Sequence, residues 1–399
     1  MPGATKAGCA PSQTSPTSPK CAFIILRQLP MKHWNIGKLS DLCILKRGYD
    51  LPIYAREQGN VPIYSSSGIS GYHNESKCIS PGVITGRYGT IGTVFFAKDD
   101  FWPLNTTLFV ENFNGNDEKF IYYFLKTLEW EKYNDKSAVP GINRNDVHKE
   151  TIYYPDVKEQ KAIAAVLGSL DDKIDLLQRQ NATLEAMAET LFRQWFIEEA
   201  QEDWDEHFLS SIVDIKSGFA FKSSTFTESG KFYLVTIKAV QDGYLTLVNA
   251  DRLDSIPAKM KEYCLLKKGD ILLSLTGNIG RCCMVDRDNL LLNQRVALLS
   301  PRQQRDWAAI YTLFRLSSFK NILIDMGKGT AQSNLSPIET SNMTLLLPEQ
   351  KVFDKFSKIA TPLLNKFLNN RYQIRTLEKL RDTLLPKLMS GEVRIRVDE

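Results

Sequence analysis

The sequence lacks the residue spacing that most metal and disulfide sites require. No CxxC pair occurs among its cysteines, and its histidines lie far apart in the chain. We therefore expect a reducing, cytoplasmic environment, no disulfide framework and no metal ligands. The residues concerned are Cys9, Cys21, Cys43, Cys78, Cys264, Cys282, Cys283, His33, His73, His148 and His207.

Several catalytic motifs are also missing. There is no Asn/Asp-Pro-Pro-aromatic tetrapeptide for amino methylation, no glycine-rich dinucleotide-binding loop and no GxxxxGK[ST] phosphate loop. Pro155-Asp156 and Glu159-x-Lys161 superficially match a PD…ExK nuclease motif. However, nuclease carboxylates converge on one metal from separate strands, whereas this segment leads directly into a long predicted helix. We therefore predict no catalytic residue and no cofactor bound by this chain.

Long apolar runs and a strong net charge are absent as well. No stretch of roughly 18 apolar residues predicts a membrane span. The formal net charge of +4 permits an anionic partner without requiring one. The length of 399 residues predicts two or three domains. Residues 1–30 are rich in Pro, Ser and Thr and are predicted to be a disordered N-terminal extension.

The chain does contain a heptad pattern over residues 158–200. Apolar residues recur at spacings of three and four, with one polar interruption at Asn181 and no Pro or Gly after Gly168. This pattern predicts a coiled-coil helix roughly 60 Å long. An internal brace lying on its own domain is the alternative. The seam positions are Ile163, Leu167, Leu170, Ile174, Leu177, Asn181, Leu184, Ala188, Leu191 and Trp195.

Residues 349–390 repeat this pattern, again with one polar seam residue. Residues 158–199 contain five basic and eight acidic side chains, whereas residues 349–387 contain nine and four. Two like-patterned helices of opposite charge are predicted to pair, with buried asparagines setting the register. Pro362 is expected to kink or split the second helix. The second seam is Phe353, Phe356, Ala360, Leu363, Phe367, Asn370, Ile374, Leu377, Leu380 or Arg381, and Leu384.

The segments outside the long helices predict α+β domains. In the first segment GVITG, TVFFA, TTLFV and TIYYP have the composition of strands, and residues 118–133 have the pattern of a helix. The predicted domains are residues 31–157 and 201–348, and residues 391–399 form a tail.

The second domain repeats the first. Trp34 aligns with Trp204 at an offset of 170 residues, and the offset drifts upward along the chain. We interpret the chain as a tandem duplication with a pseudo-twofold repeat, in which two long helices form an antiparallel coiled coil between two similar α/β domains. The further matches are Lys46-Arg47-Gly48-Tyr49 with Lys216-Ser217-Gly218-Phe219, Gly89–Gly92 with Gly277–Gly280, Asn105 with Asn293, and Asn143 with Asn334.

Three stretches carry a resemblance to a known family. PDVKEQKAIAAVLGSLDDKIDLLQRQNATLEAMAETLFRQWF and LPEQ…PLLNKFLNNRYQIRTLEKLRDTLLPKLMSGEVRI resemble the two conserved helical regions of the specificity subunit of type I restriction-modification systems. TGRYGTIG…FWPLNTTL resembles a segment of that family's target recognition domains. The resemblance extends from Met31 to the C-terminus.

The resemblance implies a non-catalytic DNA-recognition subunit. Each target recognition domain would read one half of a gapped double-stranded DNA target, and the helices would set the spacer between the halves. The helices would also dock two adenine methyltransferase subunits, which bind S-adenosylmethionine, and motor-nuclease subunits would join the full complex. A rod of ~60 Å spans somewhat under two turns of B-DNA at ~34 Å per turn, which predicts several unread base pairs.

Polar loop residues at matching places in the two repeats are candidate DNA contacts, although each could equally be a solvated or turn-capping residue. A scaffold whose domains bind protein instead of DNA is the alternative function. The DNA candidates are Lys46, Arg47, Tyr49, Ser65, Ser66, Arg87, Tyr88, Asn143, Arg144, Lys216, Lys222, Lys238, Thr276, Asn278, Lys328, Gln332 and Asn334. The candidate subunit-docking residues are Arg193, Gln194, Trp195, Lys379, Arg381 and Asp382.

Overall fold

The computed structural model of the chain describes residues 34–134, 141–328 and 333–395. These residues divide into two compact units. The first unit contains the described residues up to Gly168 and those from Asp382 onward, and the second contains Ser169–Arg381. The predicted extension over residues 1–30 lies outside the described residues.

The first unit consists of short strands and helices joined by turns. Its strands are β1 (Asn35–Lys38), β2 (Ile44–Arg47), β3 (Val61–Ser65), β4 (Gly68–His73), β5 (Gly82–Gly86), β6 (Val94–Ala97), β7 (Trp102–Pro103), β8 (Thr107–Asn112) and β9 (Thr151–Tyr154). Its helices are α1 (Leu39–Leu42), α2 (Glu118–Lys126) and α3 (Arg144–His148), and the long helix α4 (Val157–Arg193) begins in it. The four strands expected from the sequence are confirmed as β5, β6, β8 and β9.

The second unit is built in the same way. Its strands are β10 (Asp205–Phe208), β11 (Val213–Ser217), β12 (Phe232–Val235), β13 (Arg252–Leu253), β14 (Leu265–Leu266), β15 (Ile271–Ser274), β16 (Cys282–Met284), β17 (Leu290–Leu292), β18 (Val296–Pro301) and β19 (Thr344–Leu347). Its helices are α5 (Trp307–Arg315), α6 (Ser317–Gly327), α7 (Pro337–Ser341) and α8 (Gln350–Met389), the last of which ends in the first unit.

The sheet topologies of the two units match. In the first unit, an antiparallel sheet has the order β2-β8-β5-β6, and the corresponding order in the second is β11-β18-β15-β16. A smaller sheet in each unit contains one parallel pair, β3 with β7 and β12 with β17. A two-stranded ribbon completes each unit, β1 with β9 and β10 with β19. The predicted α+β fold and internal repeat are therefore confirmed.

The inner strands β5 and β15 are buried along their whole length. Because successive side chains of a strand point to opposite faces, each strand contributes to two hydrophobic clusters. Val83 packs in one cluster with α2, and its neighbour Ile84 packs in another with Tyr64 and Phe109. This double burial explains why both strands contain no charged residue.

The predicted helix over residues 118–133 is shorter than expected. Helix α2 ends at Lys126, and a separate 3₁₀ turn covers Trp130–Tyr133. The Thr127 hydroxyl donates to the Phe124 carbonyl at 2.7 Å, and the Trp130 indole donates to the Leu125 carbonyl at 2.9 Å. These bonds satisfy the last carbonyls of the helix in place of further helical turns.

Within the second unit, α4 and α8 pair antiparallel, as predicted. Asn370 Nδ2 donates to Asn181 Oδ1 at 2.9 Å, and both side chains are buried. Arg381 and Asp171 form an ion pair at 2.8 Å toward the other end of the pairing. Asn181 Nδ2 donates to the Phe367 carbonyl at 3.3 Å, so the two asparagines are hydrogen-bonded inside an apolar seam, and this geometry fixes the register of the helices.

Two details of the second helix differ from the expectation. Leu364 is fully buried, whereas Leu363 is only half-buried, so the seam passes through Leu364. Helix α8 continues without a break through Pro362, and the expected split is absent. The proline lies on the exposed side of the helix. None of the helices in the described ranges is long and apolar enough to cross a membrane.

Each unit anchors α4 through a glutamate. In the first unit Glu159 accepts hydrogen bonds from Arg394 at 2.5 and 2.9 Å and from the Trp34 indole at 3.3 Å. In the second unit Glu185 accepts from Arg315 at 2.6 Å and from the Tyr311 hydroxyl at 2.7 Å. Burial raises the pKa of Tyr311 well above its usual value, so it remains a donor to Glu185.

Candidate nucleic-acid interface

The turn after β5 contains Arg87 and Tyr88, two of the candidates from the first repeat. Their backbone N–H groups donate to the Thr106 carbonyl at 2.9 and 3.2 Å. The Arg87 guanidinium lies 4.4 Å from the centroid of the Tyr88 ring, within cation–π distance. Backbone hydrogen bonds and stacking thus hold this pair against the segment that joins β7 to β8.

Glycines allow this turn to pack closely. A Cβ atom at Gly86 would lie 1.8 Å from the Thr90 carbonyl oxygen, and one at Gly141 would lie 2.2 Å from the Tyr88 ring. Gly89 has φ +74° and lies beside the hydroxyl of Ser66. Because larger residues would clash here, the fold brings Ser66, Arg87 and Tyr88 into one cluster.

The turns after β5 and β15, and the segment beside the first of them, contain buried polar atoms without hydrogen-bond partners. Among the described residues, no hydrogen-bond partner is found for Arg87 Nη1 or Thr106 Oγ1 in the first unit, or for Thr276 Oγ1 in the second. A buried donor without an acceptor costs free energy unless a ligand or water supplies the missing bond. These three atoms therefore mark unfilled hydrogen-bonding capacity at the two turns.

The other candidates in the first unit are mostly engaged within it. Lys46 pairs with Glu111 at 2.5 Å, and the hydrogen bond that Lys46 donates to this carboxylate raises the pKa of Lys46. Tyr49 packs against Phe109 with ring centroids 5.9 Å apart. The Ser65 hydroxyl lies 3.0 Å from the Gly68 carbonyl oxygen.

Arg47, Asn143 and Arg144 lie on or beside secondary-structure ends. Arg47 is exposed at the last position of β2. Asn143 caps α3, and its side-chain oxygen accepts from the Asn145 N–H at 3.0 Å. Arg144 is exposed in the first turn of the same helix. The cap gives Asn143 a structural role irrespective of any ligand.

The matching turn of the second unit has the same backbone and different side chains. The Leu335 N–H donates to the Leu275 carbonyl, as the Ile142 N–H does to Arg87. Leu275, the counterpart of Arg87, is buried, and Thr276, the counterpart of Tyr88, forms a β-bridge with Asn334. The glycine match of the two turns is confirmed, because Gly89 and Gly92 have φ of +74° and +81°, and Gly277 and Gly280 have φ of +69° and +78°.

Two of the residue matches from the sequence are wrong. Gly48 and Gly218 donate to the Thr107 and Val296 carbonyls respectively, which equates Leu104, rather than Asn105, with Asn293. Asn143 caps α3 as Ser336 caps α7, so the counterpart of Asn143 is Ser336 rather than Asn334. The offset therefore rises to 189 and then to 193 residues, because the loops differ in length.

The remaining candidates of the second unit are distributed over several loops. Asn278 is exposed in the turn after β15. Lys222 is exposed directly before the 3₁₀ turn Ser223–Thr225, and Lys238 is exposed in the loop after β12. Lys216 lies 3.9 Å from Asp214, and Lys328 pairs with Asp325 at 2.9 Å. Gln332 lies outside the described residues.

Sequence reasoning missed the segment beside the turn. Thr106 in the first unit and Arg295 in the second receive equivalent backbone hydrogen bonds, from Arg87 and Leu275 respectively. Arg295 is exposed and forms no ion pair with any residue in the described ranges. The polar pairs Asn105-Thr106 and Gln294-Arg295, each directly before an apolar strand, were the available signal.

The docking candidates have mixed surroundings. Arg193 pairs with Glu189 at 2.8 Å, and Gln194 donates to Glu199 at 2.8 Å. Trp195 is half-buried against Phe356, and Lys355 lies over its indole at 4.4 Å. Arg381 pairs with Asp171 within the helix pairing, while Lys379 and Asp382 are exposed.

Within the described ranges, no group of three or more His, Cys, Asp or Glu side chains is arranged to hold a metal ion.

Known proteins resemble this chain over most of its length. A family model described as "Type I restriction modification DNA specificity domain" matches residues 31–186 and again residues 201–374. The MjaIX specificity subunit of a type I restriction enzyme from Methanocaldococcus jannaschii is 28% identical over 76% of this chain and 76% of its own. The HindI specificity subunit from Haemophilus influenzae is 22% identical over 79% of this chain and 85% of its own.

A solved structure shares the fold. The crystal structure of a type I restriction-modification S subunit from M. genitalium matches with a TM-score of 0.63 and 20% identity. The match covers 90% of this chain and 96% of that one.

Proposed function

This chain belongs to the type I restriction-modification DNA specificity family, and on that premise we propose that each unit reads one half of a two-part DNA target. The reading surface in each unit is the turn after the inner strand together with the segment beside it. In the first unit this surface is Ser66, Arg87, Tyr88, Asn105 and Thr106. In the second it is Thr276, Asn278, Gln294, Arg295 and Asn334.

The observation that supports this surface most strongly is the set of unpartnered buried polar atoms. Arg87 Nη1 and Thr106 Oγ1 belong to residues joined by the backbone hydrogen bond from Arg87 to Thr106, and Thr276 Oγ1 belongs to the matching turn. Phosphate oxygens and base edges are acceptors of the kind these groups lack. Arginine is the side chain that most often forms bidentate contacts with guanine.

The chain has no catalytic role of its own under this proposal. Two adenine methyltransferase subunits dock on the outer faces of α4 and α8 and supply S-adenosylmethionine, and motor-nuclease subunits join them for restriction. Lys379 and Asp382 are exposed on α8, and Arg193 and Gln194 lie at the end of α4. The pseudo-repeat of sequence and topology favours two copies of one partner. The complex acts on chromosomal DNA in the cytoplasm.

Methylation mapping tests the proposal directly. The chain is co-expressed with its methyltransferase partner in a host free of adenine methylation, and the genome is sequenced for N6-methyladenine. We expect one two-part motif with a fixed gap, which disappears when the chain is omitted. Methylation that is unchanged without the chain, or a motif with no gap, would contradict the proposal and favour a protein-binding scaffold.

The reading surface has its own test. Arg87→Ala should weaken binding of the purified complex to the mapped duplex and reduce the slope of log affinity against log salt by about one. The matched control is Arg179→Ala, which removes an exposed arginine from α4 that pairs with Asp175 at 3.2 Å. Equal effects of the two variants would exclude the turn as the reading surface.

A further inference from the structure

A short turn in the first unit exposes two large side chains. The 3₁₀ turn Ile53–Ala55 follows β2, and Ile53 is 81% and Tyr54 92% exposed. Single exposed apolar residues are ordinary on protein surfaces. Here, however, two are adjacent, and Ile69 and Tyr72 on the edge strand β4 are exposed as well. The first unit thus leaves four large apolar or aromatic side chains uncovered on this turn and on the strand to which Arg56 bonds.

Three hydrogen bonds order the turn. Within it, the Ala55 and Arg56 N–H groups donate to the Pro52 and Ile53 carbonyls at 3.0 and 3.2 Å. On the far side Arg56 Nη1 donates to the Ser70 carbonyl of β4 at 3.3 Å. The exposure of Tyr54 is therefore a property of an ordered turn, and binding would require little additional ordering of its backbone.

The second unit contains the same turn without the apolar side chains. Its 3₁₀ turn is Ser223–Thr225, and the N–H groups of Thr225 and Phe226 donate to the Lys222 and Ser223 carbonyls at 2.9 and 3.1 Å. Ser223 and Ser224 occupy the positions of Ile53 and Tyr54, at an offset of 170 residues. The backbone conformation thus does not demand apolar side chains, so Ile53 and Tyr54 need another explanation.

The turn lies close to the proposed reading surface along the chain. Asp50 accepts a hydrogen bond from the Asn105 amide, and Tyr49 forms a β-bridge with Leu104. The neighbouring carbonyl of Thr106 binds the Arg87 turn. Tyr54 follows Asp50 by four residues, so its Cα lies within about 14 Å of that point. At about 3.4 Å per base pair, this distance corresponds to about four steps of a duplex.

We propose that Tyr54, supported by Ile53, is a wedge that packs against and opens one base step beside the first half of the DNA target. The inference rests on the proposed function above. Apolar side chains inserted between base steps unstack and kink a duplex, and aromatic rings stack on exposed bases without regard to their identity. The second unit reads its half-site without such a wedge, because Ser224 has no ring to insert.

The experiment uses the complete complex with its methyltransferase subunits and the duplex identified by methylation mapping. 2-Aminopurine is placed singly at each position of and beside both half-sites, except at the methylated adenines, because methyltransferases flip their target base. With the wild-type chain we expect increased fluorescence at one step beside one half-site. Tyr54→Ala should abolish that increase and weaken binding about tenfold. Tyr54→Phe should retain both, since it keeps the ring.

The matched control is Ser224→Ala, which alters the equivalent turn and should change neither the fluorescence nor the affinity. Because Tyr54 is so exposed, we expect the variants to keep the stability of the wild-type chain, and a thermal melt of each variant checks this. If Tyr54→Ala leaves both readouts unchanged, the wedge is excluded. If it instead prevents assembly with the methyltransferase subunits, the turn contacts protein and the inference is wrong. Absence of any salt-dependent DNA binding by the wild-type complex would instead overturn the proposed function itself.

Discussion

In the first unit the turn after the inner strand contains the half-buried Arg87 and Tyr88, whereas the matching turn of the second unit contains Leu275 and Thr276. The backbone hydrogen bonds that hold the two turns are equivalent. The glycines that shape them have nearly the same φ angles. The same backbone conformation therefore presents a different set of side chains in each unit. The proposed reading of two unlike half-sites requires such a difference.

The comparison extends to the attachment of α4. Glu159 holds the start of the helix to Trp34 and Arg394 in the first unit, and Glu185 holds its later part to Tyr311 and Arg315 in the second. These glutamates occupy unrelated positions in the repeat. Loop and anchor residues have thus diverged, while the sheets and their order have not.

The largest expected effect comes from removing the anchor in the second unit. Glu185→Ala should lower the free energy of unfolding of that unit by about 3 kcal/mol, because the largely buried Arg315 would lose its closer partner and keep the more distant Asp242, at 3.3 Å. Glu189→Ala on the same helix removes a more exposed pair with Arg193 and should cost less than about 1 kcal/mol. Urea unfolding of both variants measures the difference. Similar costs would show that the anchor is not a buried ion pair in solution.

The effects of substituting Asn181 and Asn370 on the free energy of unfolding should be strongly coupled. Asn181→Leu leaves Asn370 without its acceptor in a buried site and should cost about 1–3 kcal/mol. The double variant with Asn370→Leu should recover most of this loss, since no unpaired polar group remains. A double-mutant cycle by urea unfolding measures the coupling. Additive costs would mean that the two amides do not bond each other.

A substitution in one reading surface should impair recognition of one half-site only. Arg295→Ala should weaken DNA binding by about tenfold or less and relax the methylation motif only in the half read by the second unit. Arg87→Ala should relax only the other half. Arg302→Ala is a matched control, because that arginine is engaged with Asp214 at 2.7 Å. Methylation mapping of each variant checks this, and relaxation of both halves by one variant would contradict separate reading.

The smallest effect concerns pH. Burial, and secondly the charge of Arg144, lower the pKa of His148 from 6.5, and its neutral Nε2 accepts from the Leu45 N–H at 2.9 Å. As the pH falls below 6.5, the unfolded chain binds a proton that the folded unit resists. The first unit should therefore lose stability on acidification, by less than about 1.4 kcal/mol per pH unit.

Unfolding measured from pH 7.5 to 5.5 checks this prediction by comparison with His148→Gln, which should have a smaller slope. His207→Gln in the second unit is the control, because that histidine is exposed. An unaltered slope in His148→Gln would show that the imidazole does not titrate differently on folding.

Much of the architecture was predictable because it depends on local periodicity. The heptad spacing predicted α4 and α8, and the buried Asn181–Asn370 pair was predicted from one polar position in each seam. The error at Leu363 arose because one-residue shifts in a long helix are not resolved by spacing alone. The end of α2 was missed because the Thr127 and Trp130 side chains compete for its final carbonyls.

The candidate site was predicted only in part. Arg87, Tyr88 and Ser66 were identified as polar loop residues, and the fold brings them together. Thr106 and Arg295 were missed because their proximity to the turns depends on hydrogen bonds between distant parts of the chain. Asn143 was matched to Asn334 because both are asparagines. Residue identity alone does not show that Asn143 caps a helix and that Ser336 is the equivalent cap.

The sequence by itself determined the duplication, four strands of the first unit, the long helices and their polar register, since each of these follows from residue spacing and type. Only the tertiary structure decided which loop side chains meet, which lysines are engaged by carboxylates and which buried donors remain unpaired. Those properties depend on contacts between residues far apart in the chain. A turn that exposes Tyr54 in one unit and Ser224 in the other could be recognised as a single feature only after the two folds were compared.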